Sequence, residues 1–131
     1  MTDMPTAQTC VAIVDDDESV RKALRRLLRA RHFDAEVYAS GEEFLESLEE
    51  NQPDCLVLDL HMPGMTGLDV QRHLTKSDIR VPVVVITGHD QPGGRSRCLS
   101  AGAFAYLCKP LDDEALLQAI LEAVGPGKIE S

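Results

Sequence analysis

Basic residues are scarce in this 131-residue chain: 13 Lys and Arg stand against 22 Asp and Glu, a formal net charge of −9. Nucleic-acid backbones are gripped by basic patches, so direct binding of DNA or RNA by this segment is not expected. Long apolar runs are missing too. Among the longest, Val81 to Ile86 contains Pro82 and is far too short to cross a bilayer. The opening residues Met1-Thr2-Asp3-Met4-Pro5 lack a basic stretch followed by an apolar one, so no secretory signal is read there and a cytoplasmic location is expected. The four cysteines, Cys10, Cys55, Cys98 and Cys108, form no C-x-x-C pair and lie outside metal-ligand spacing. They are read as small buried hydrophobes in a reducing compartment, with a redox role as the lesser reading. Internal repeats and low-complexity tracts are also absent.

What remains is an ordinary globular composition, 44% hydrophobic and 27% charged, enough to build one core and too short for two. Short apolar runs alternate with longer amphipathic ones. Cys10–Val14, Glu36–Ala39, Cys55–Leu58, Val83–Thr87 and Phe104–Leu107 read as strands, four of them almost continuously apolar, as strands buried on both faces are. Helical spacing marks Glu18–Arg31, Gly41–Glu50, Leu68–Leu74 and Asp112–Val124. Asp17 is placed to cap the first of these, and Ser40-x-x-Glu43 fits a capping box for the second. A fourth helix around Arg95–Leu99 is weak, because Gly93 and Gly94 at its start each cost ~1 kcal/mol against Ala in a helix. A short or mobile element is expected there. Residues 9–124 read as one domain, with 1–8 as a loose N-terminal tail and 125–131 as a C-terminal tail or the start of a linker. Five β-α units in series imply an α/β fold, a single doubly wound parallel sheet with helices on both faces and right-handed crossovers. Ligands of such sheets sit beyond the carboxyl ends of the strands, where strand order reverses.

Polar residues cluster at those ends. The first strand runs into Asp15-Asp16-Asp17-Glu18. A solvated loop with a helix cap accounts for Asp17 and Glu18, but poorly for Asp15 and Asp16, whose mutual repulsion needs a reason. The third strand ends at Asp59, an acid at the core edge that is costly unless paired or metal-bound. If the fold brings these together, three carboxylates share a pocket, which requires a cation or raised pKa values. All-oxygen ligation suits a hard cation such as Mg²⁺. The fourth strand ends Thr87-Gly88, a hydroxyl beside a residue with no side chain, and the fifth ends Lys109-Pro110. A strand-end Thr and a lone Lys are each commonplace. Their joint order (acid pair, Asp, Thr, Lys), each at the end of its own strand, is not. An ion pair between Lys109 and Asp59 is expected.

On these residues the chain resembles a response-regulator receiver domain over about residues 9–124. The run Leu58-Asp59-Leu60-His61-Met62-Pro63-Gly64-Met65-Thr66-Gly67-Leu68 and the run Ile86-Thr87-Gly88-His89 are similar to the NarL/FixJ-like branch. The resemblance implies a flavodoxin-like strand order 2-1-3-4-5 and a regulatory rather than enzymatic module that takes a phosphoryl group from a sensor histidine kinase. Asp59 would be the phospho-acceptor. Asp16 would ligate Mg²⁺ (or Mn²⁺) directly, Asp15 through water, and the His61 backbone carbonyl would complete the protein ligands with Asp59. Lys109 and Thr87 would bind phosphoryl oxygens, and Gly88 would leave room for them. Tyr106 matches the family's aromatic switch, turning inward as Thr87 is drawn to the phosphoryl group, and Lys109-Pro110 would be a cis bond. His61 and His89 fall at positions that modulate reaction rate. A phosphorylation-dependent homodimer and a C-terminal DNA-binding domain outside this chain are further implications, alongside a stand-alone or hybrid-kinase receiver. The Gly93-Gly94-Arg95 stretch departs from the pattern on the signalling face.

Three rival readings meet specific obstacles. A nucleotide- or flavin-binding domain wants a Gly- or Ser/Thr-rich loop after the first strand, whereas Asp15-Asp16-Asp17 repels phosphate in the absence of metal. A haloacid-dehalogenase-like phosphatase wants a second acid two residues after its nucleophile, and position 61 is His. A phosphorylation-independent pseudo-receiver has no need of all five matching site positions.

Overall fold

A computed structural model describes residues 9–125. Of the expected tails 1–8 and 125–131, residues 1–8 and 126–131 lie outside the described residues. The elements follow in the order β1 (Cys10–Val14), α1 (Glu18–Ala30), β2 (Asp34–Tyr38), α2 (Gly41–Ser47), β3 (Cys55–Asp59), α3 (Gly67–Lys76), β4 (Val83–Thr87), α4 (Gly94–Ser100), β5 (Ala105–Cys108) and α5 (Asp113–Val124). The strands form one sheet in the order β2-β1-β3-β4-β5, and every pairing is parallel.

Alternation along the strands splits the core in two. Ala12, Val14, Leu56, Leu58, Val83 and Val85 face Phe44 of α2, Val70 and Leu74 of α3, and Cys98 of α4. Val11, Ile13, Val57, Val84 and Ile86 face Leu24 and Leu28 of α1 and Leu116 and Ile120 of α5. The central strands β3 and β4 are buried at every position, which is why they read as unbroken apolar runs.

Element ends differ from the sequence reading where local hydrogen bonds decide them. β2 starts two residues earlier, since Asp34 pairs with Cys10 in register. α2 stops at Ser47, whose hydroxyl donates to the Phe44 carbonyl. Its cap is a variant of the expected box: the Ser40 hydroxyl accepts from the Glu43 N–H (3.1 Å), while the Glu43 carboxylate accepts from Ala39 (2.8 Å). The reciprocal box is instead on α3, between Thr66 and Asp69 (3.2 and 2.9 Å), and it lengthens that helix beyond Leu68–Leu74. Thr66→Ala should therefore lower stability by about 1 kcal/mol in urea denaturation, the usual worth of an N-cap. β5 begins after Phe104, which is left exposed. α4 is short, as expected, spans seven residues, and has no side-chain cap. The cysteine reading needs correction. All four thiols are free, but only Cys55 and Cys98 are buried; Cys10 is half-buried and Cys108 exposed, at the rim where β5 leaves the core.

Candidate functional site

Register brings the strand ends together. Val14 pairs with Leu58, Asp59 with Ile86, and Thr87 with Cys108, so Asp15, Asp59, Thr87 and Lys109 emerge at one edge of the sheet. Carboxylate oxygens of Asp15, Asp16 and Asp59 lie within 4.8 Å of one another. Asp15 and Asp59 are buried and Asp16 is exposed, giving a pocket walled by protein on one side and open on the other.

Asp15 is the most tightly held. Its Oδ1 accepts from the Asp17 N–H at 2.9 Å, and its Oδ2 accepts from Lys109 Nζ at 2.9 Å. Its carbonyl oxygen accepts from Arg21 Nη1 at 2.8 Å. Lys109 Nζ lies farther from Asp59 Oδ1, at 3.6 Å. The expected Lys109–Asp59 pair is thus present, but secondary to one with Asp15. Burial alone would lower the Lys109 pKa; the hydrogen bond to Asp15 and the charges of Asp59 and Asp15 outweigh it, and the net shift is upward. Asp59 moves up to about 6, chiefly through burial and then the Asp15 charge, against the opposing pull of Lys109. Burial is the driving physics, with the crowding of acids second.

The backbone fixes the remaining parts. The Lys109 N–H donates to the Thr87 carbonyl at 2.7 Å, and the Lys109-Pro110 bond is cis. Thr87 is buried, and its hydroxyl oxygen accepts from the His89 N–H at 3.0 Å. A Cβ at Gly88 would touch Lys109 Cδ at an ordinary 3.7 Å, so sterics alone do not require glycine there. Gly67 is different. A Cβ would fall 2.7 Å from the Asp59 carbonyl oxygen and 2.9 Å from Leu60 Cα. Only glycine lets the start of α3 pack directly behind the acid. His61 and His89 face each other edge to face, ring centroids 5.7 Å apart.

Tyr106 lies on β5, next to the Thr87 end of β4. Its side chain is buried, and its hydroxyl donates to Asp90 Oδ1 at 2.9 Å. Sequence reasoning missed Arg21, Gly67 and Asp90. Arg21, one turn beyond the Asp17 cap, carried the best signal, as the first base after four acids.

The sequence profile of the response regulator receiver domain matches residues 11–121. The chain belongs to the response-regulator receiver family. Among relatives of this receiver, the response regulator protein TodT of Pseudomonas putida is 36% identical over 92% of the chain and 53% of its own length. A response regulator receiver protein from Burkholderia phymatum superposes with a TM-score of 0.81 at 45% identity, covering 90% of this chain and 96% of that one. The FixJ-N crystal structure gives 0.84 at 35% identity, covering 91% and 95%. The receiver spans about half the length of the curated relatives it matches. It is a module of two-component response regulators. No helix among the described residues is long and apolar enough to cross a membrane.

Proposed function

We propose that this receiver accepts a phosphoryl group on Asp59 from a sensor histidine kinase and passes the signal on through its α4–β5–α5 face. The convergence of Asp15, Asp16 and Asp59 beside Lys109 carries this reading. The donor set is all oxygen and mixes buried with exposed carboxylates, which fits Mg²⁺ or Mn²⁺. Asp15, Asp16, Asp59 and the His61 carbonyl would hold the ion. When bound, it supplies charge neutralisation for the carboxylates and the incoming phosphoryl oxygens.

In the transfer, a carboxylate oxygen of Asp59 forms a bond to phosphorus as the bond from phosphorus to the donor imidazole nitrogen breaks, and the departing imidazole keeps the electron pair. Lys109 offers its ammonium to a phosphoryl oxygen and Thr87 its hydroxyl proton to another. Gly67 allows the start of α3 to pack against the acceptor's backbone, limiting its freedom. His61 and His89 line the mouth of the pocket and set how readily water reaches the acyl phosphate. The output is a shift in the arrangement of α4 relative to β5 and α5. Similarity to FixJ-N supports a transcriptional regulator of the NarL/FixJ-like branch, cytoplasmic, with a DNA-binding domain beyond this receiver and a homodimer formed on phosphorylation.

Calorimetric titration with Mg²⁺ tests the acidic pocket. Asp16→Asn should weaken binding by about tenfold or more, because ligand charge sets divalent affinity, while Thr87→Ala should leave it unchanged. Equal affinity in Asp16→Asn and the parent would remove the metal from this account.

A further inference from the structure

Two of the chain's four histidines meet at the mouth of the acidic pocket. His61 follows Asp59 by two residues, in the loop between β3 and α3; His89 follows Thr87 by two, in the loop between β4 and α4. Both are exposed, and their rings lie edge to face with centroids 5.7 Å apart and planes at 65°. The backbone beneath each ring is fixed. The Leu60 N–H donates to the Ile86 carbonyl at 2.9 Å, and the Gly67 N–H donates to the Leu60 carbonyl at 2.9 Å, which closes the first loop on itself. Met62, next to His61, is buried in the core cluster that holds Phe44 and Val70. The His89 N–H is held by the hydroxyl oxygen of buried Thr87 at 3.0 Å. Two loops well separated in the chain thus present two imidazoles across one gap, with little left to order but side-chain torsions.

A contact between two exposed imidazoles buries little apolar surface, so packing gives this pair a small return. Its spacing suits coordination. A Zn–N bond of ~2.0–2.1 Å puts each ring centroid ~3.2 Å from the ion, so two imidazoles on one ion stand ~5.2 Å apart at a tetrahedral angle and ~6.4 Å apart at a straight one. The observed 5.7 Å falls between these limits. The last side-chain torsion of histidine is broad, and turning a nitrogen of either exposed ring toward the gap displaces no packed core. Three carboxylates nearby, against the one ammonium of Lys109, give the mouth a negative potential that draws in cations. The donor chemistry differs from that of the carboxylates. Oxygen ligands suit Mg²⁺, whereas imidazole nitrogens suit first-row ions such as Zn²⁺, Ni²⁺ and Cu²⁺.

We propose that His61 and His89 form a second divalent-metal site, separate from the carboxylate cluster, which takes a transition ion such as Zn²⁺ between the two imidazoles and completes its shell with water. The bound ion ties the β3–α3 loop to the β4–α4 loop. His61 supplies the carbonyl assigned above to Mg²⁺, and the His89 N–H holds the Thr87 hydroxyl, so the clamp stands across the path of an incoming phosphoryl donor and slows its entry. That consequence rests on the acceptor reading of Asp59. Binding of the ion does not.

NMR of the imidazole resonances, at mildly alkaline pH where imidazole is a neutral ligand and with Mg²⁺ in large excess, follows all four histidines through a titration with Zn²⁺. His61 and His89 should shift together, with one midpoint, while His32 and His73 stay in place and report an intact fold. His61→Gln and His89→Gln should each weaken binding about tenfold or more, since loss of a ligand costs at least what loss of a ligand's supporting partner does. Asp16→Asn should leave both shifts in place, and so should Cys108→Ser, which removes the exposed thiol at the end of β5. Separate midpoints for the two rings, no shift of either with Zn²⁺ in excess, affinity unchanged in either histidine variant, or loss of the shifts in Asp16→Asn or Cys108→Ser overturns the proposal. Mass gain from acetyl phosphate should slow when the parent is saturated with Zn²⁺, and an unchanged rate overturns the effect on donor entry. Absence of mass gain before any Zn²⁺ is added would sink the phospho-acceptor reading and leave the histidine site standing.

Discussion

Lys109→Met should slow phosphoryl uptake from acetyl phosphate by about 10²-fold or more, the size of effect seen when a pre-organised charge partner is removed from a developing anion. Methionine keeps much of the apolar stem and deletes only the ammonium, so the contacts around the β5 end are largely retained. Two separate losses combine. The first is a donor for the phosphoryl oxygens. The second is the charge that stands 2.9 Å from Asp15 and 3.6 Å from Asp59 and opposes the upward pull of burial and of Asp15 on the acceptor. Without it, Asp59 titrates still higher and less of it is present as the attacking carboxylate. A time course of mass gain, read against parent protein at the same Mg²⁺ concentration, gives the ratio. A rate within twofold of the parent would show that Lys109 serves only to offset the Asp15 charge.

Asp59→Asn should make the metal-free protein more stable at neutral pH, although it removes the residue on which the function depends. The folded-state pKa of Asp59 is about 6, raised from the ordinary 3.8. Between those values the native state holds a proton that the unfolded chain has released. Stability therefore falls as pH rises through this window, and the penalty is complete above it. Asparagine carries no such penalty. After allowance for solvent reaching the open side of the pocket, the gain is roughly 1–2 kcal/mol at pH 7.5, and it should vanish near pH 4. Urea denaturation at both pH values, with a chelator present, checks the sign and the window. Saturating Mg²⁺ should then stabilise the parent more than the variant, since a ligand that binds only the native state adds to its stability. A gain of equal size at both pH values would point to packing rather than charge.

The parallel sheet and its order could be read from the chain because the strands are short, apolar and separated by amphipathic stretches. Those patterns reflect burial on both faces, and burial is what the core clusters record. Element ends were less legible. Thr66 and Asp69 extend α3 through a reciprocal pair of hydrogen bonds, and β2 takes in Asp34 because a partner strand lies alongside it. Neither shows in hydrophobic periodicity. Within the site, Asp15, Asp16, Asp59, Thr87 and Lys109 stood out because each follows its own strand, and parallel strands deliver their carboxyl ends to one edge. Which acid Lys109 prefers depends on side-chain geometry that no spacing encodes. Gly67 escaped notice for a similar reason: what matters there is the atom a Cβ would strike, the Asp59 carbonyl oxygen. Asp90 lies in the loop between β4 and α4, and only the fold sets it beside the Tyr106 phenol.

Intact-mass spectrometry after incubation with acetyl phosphate and Mg²⁺ tests the central claim most directly, run beside Asp59→Asn and a chelator control. The account predicts one added phosphoryl group on the parent and none in either control. An adduct that persists in Asp59→Asn, or that forms equally well with the metal chelated, would contradict it.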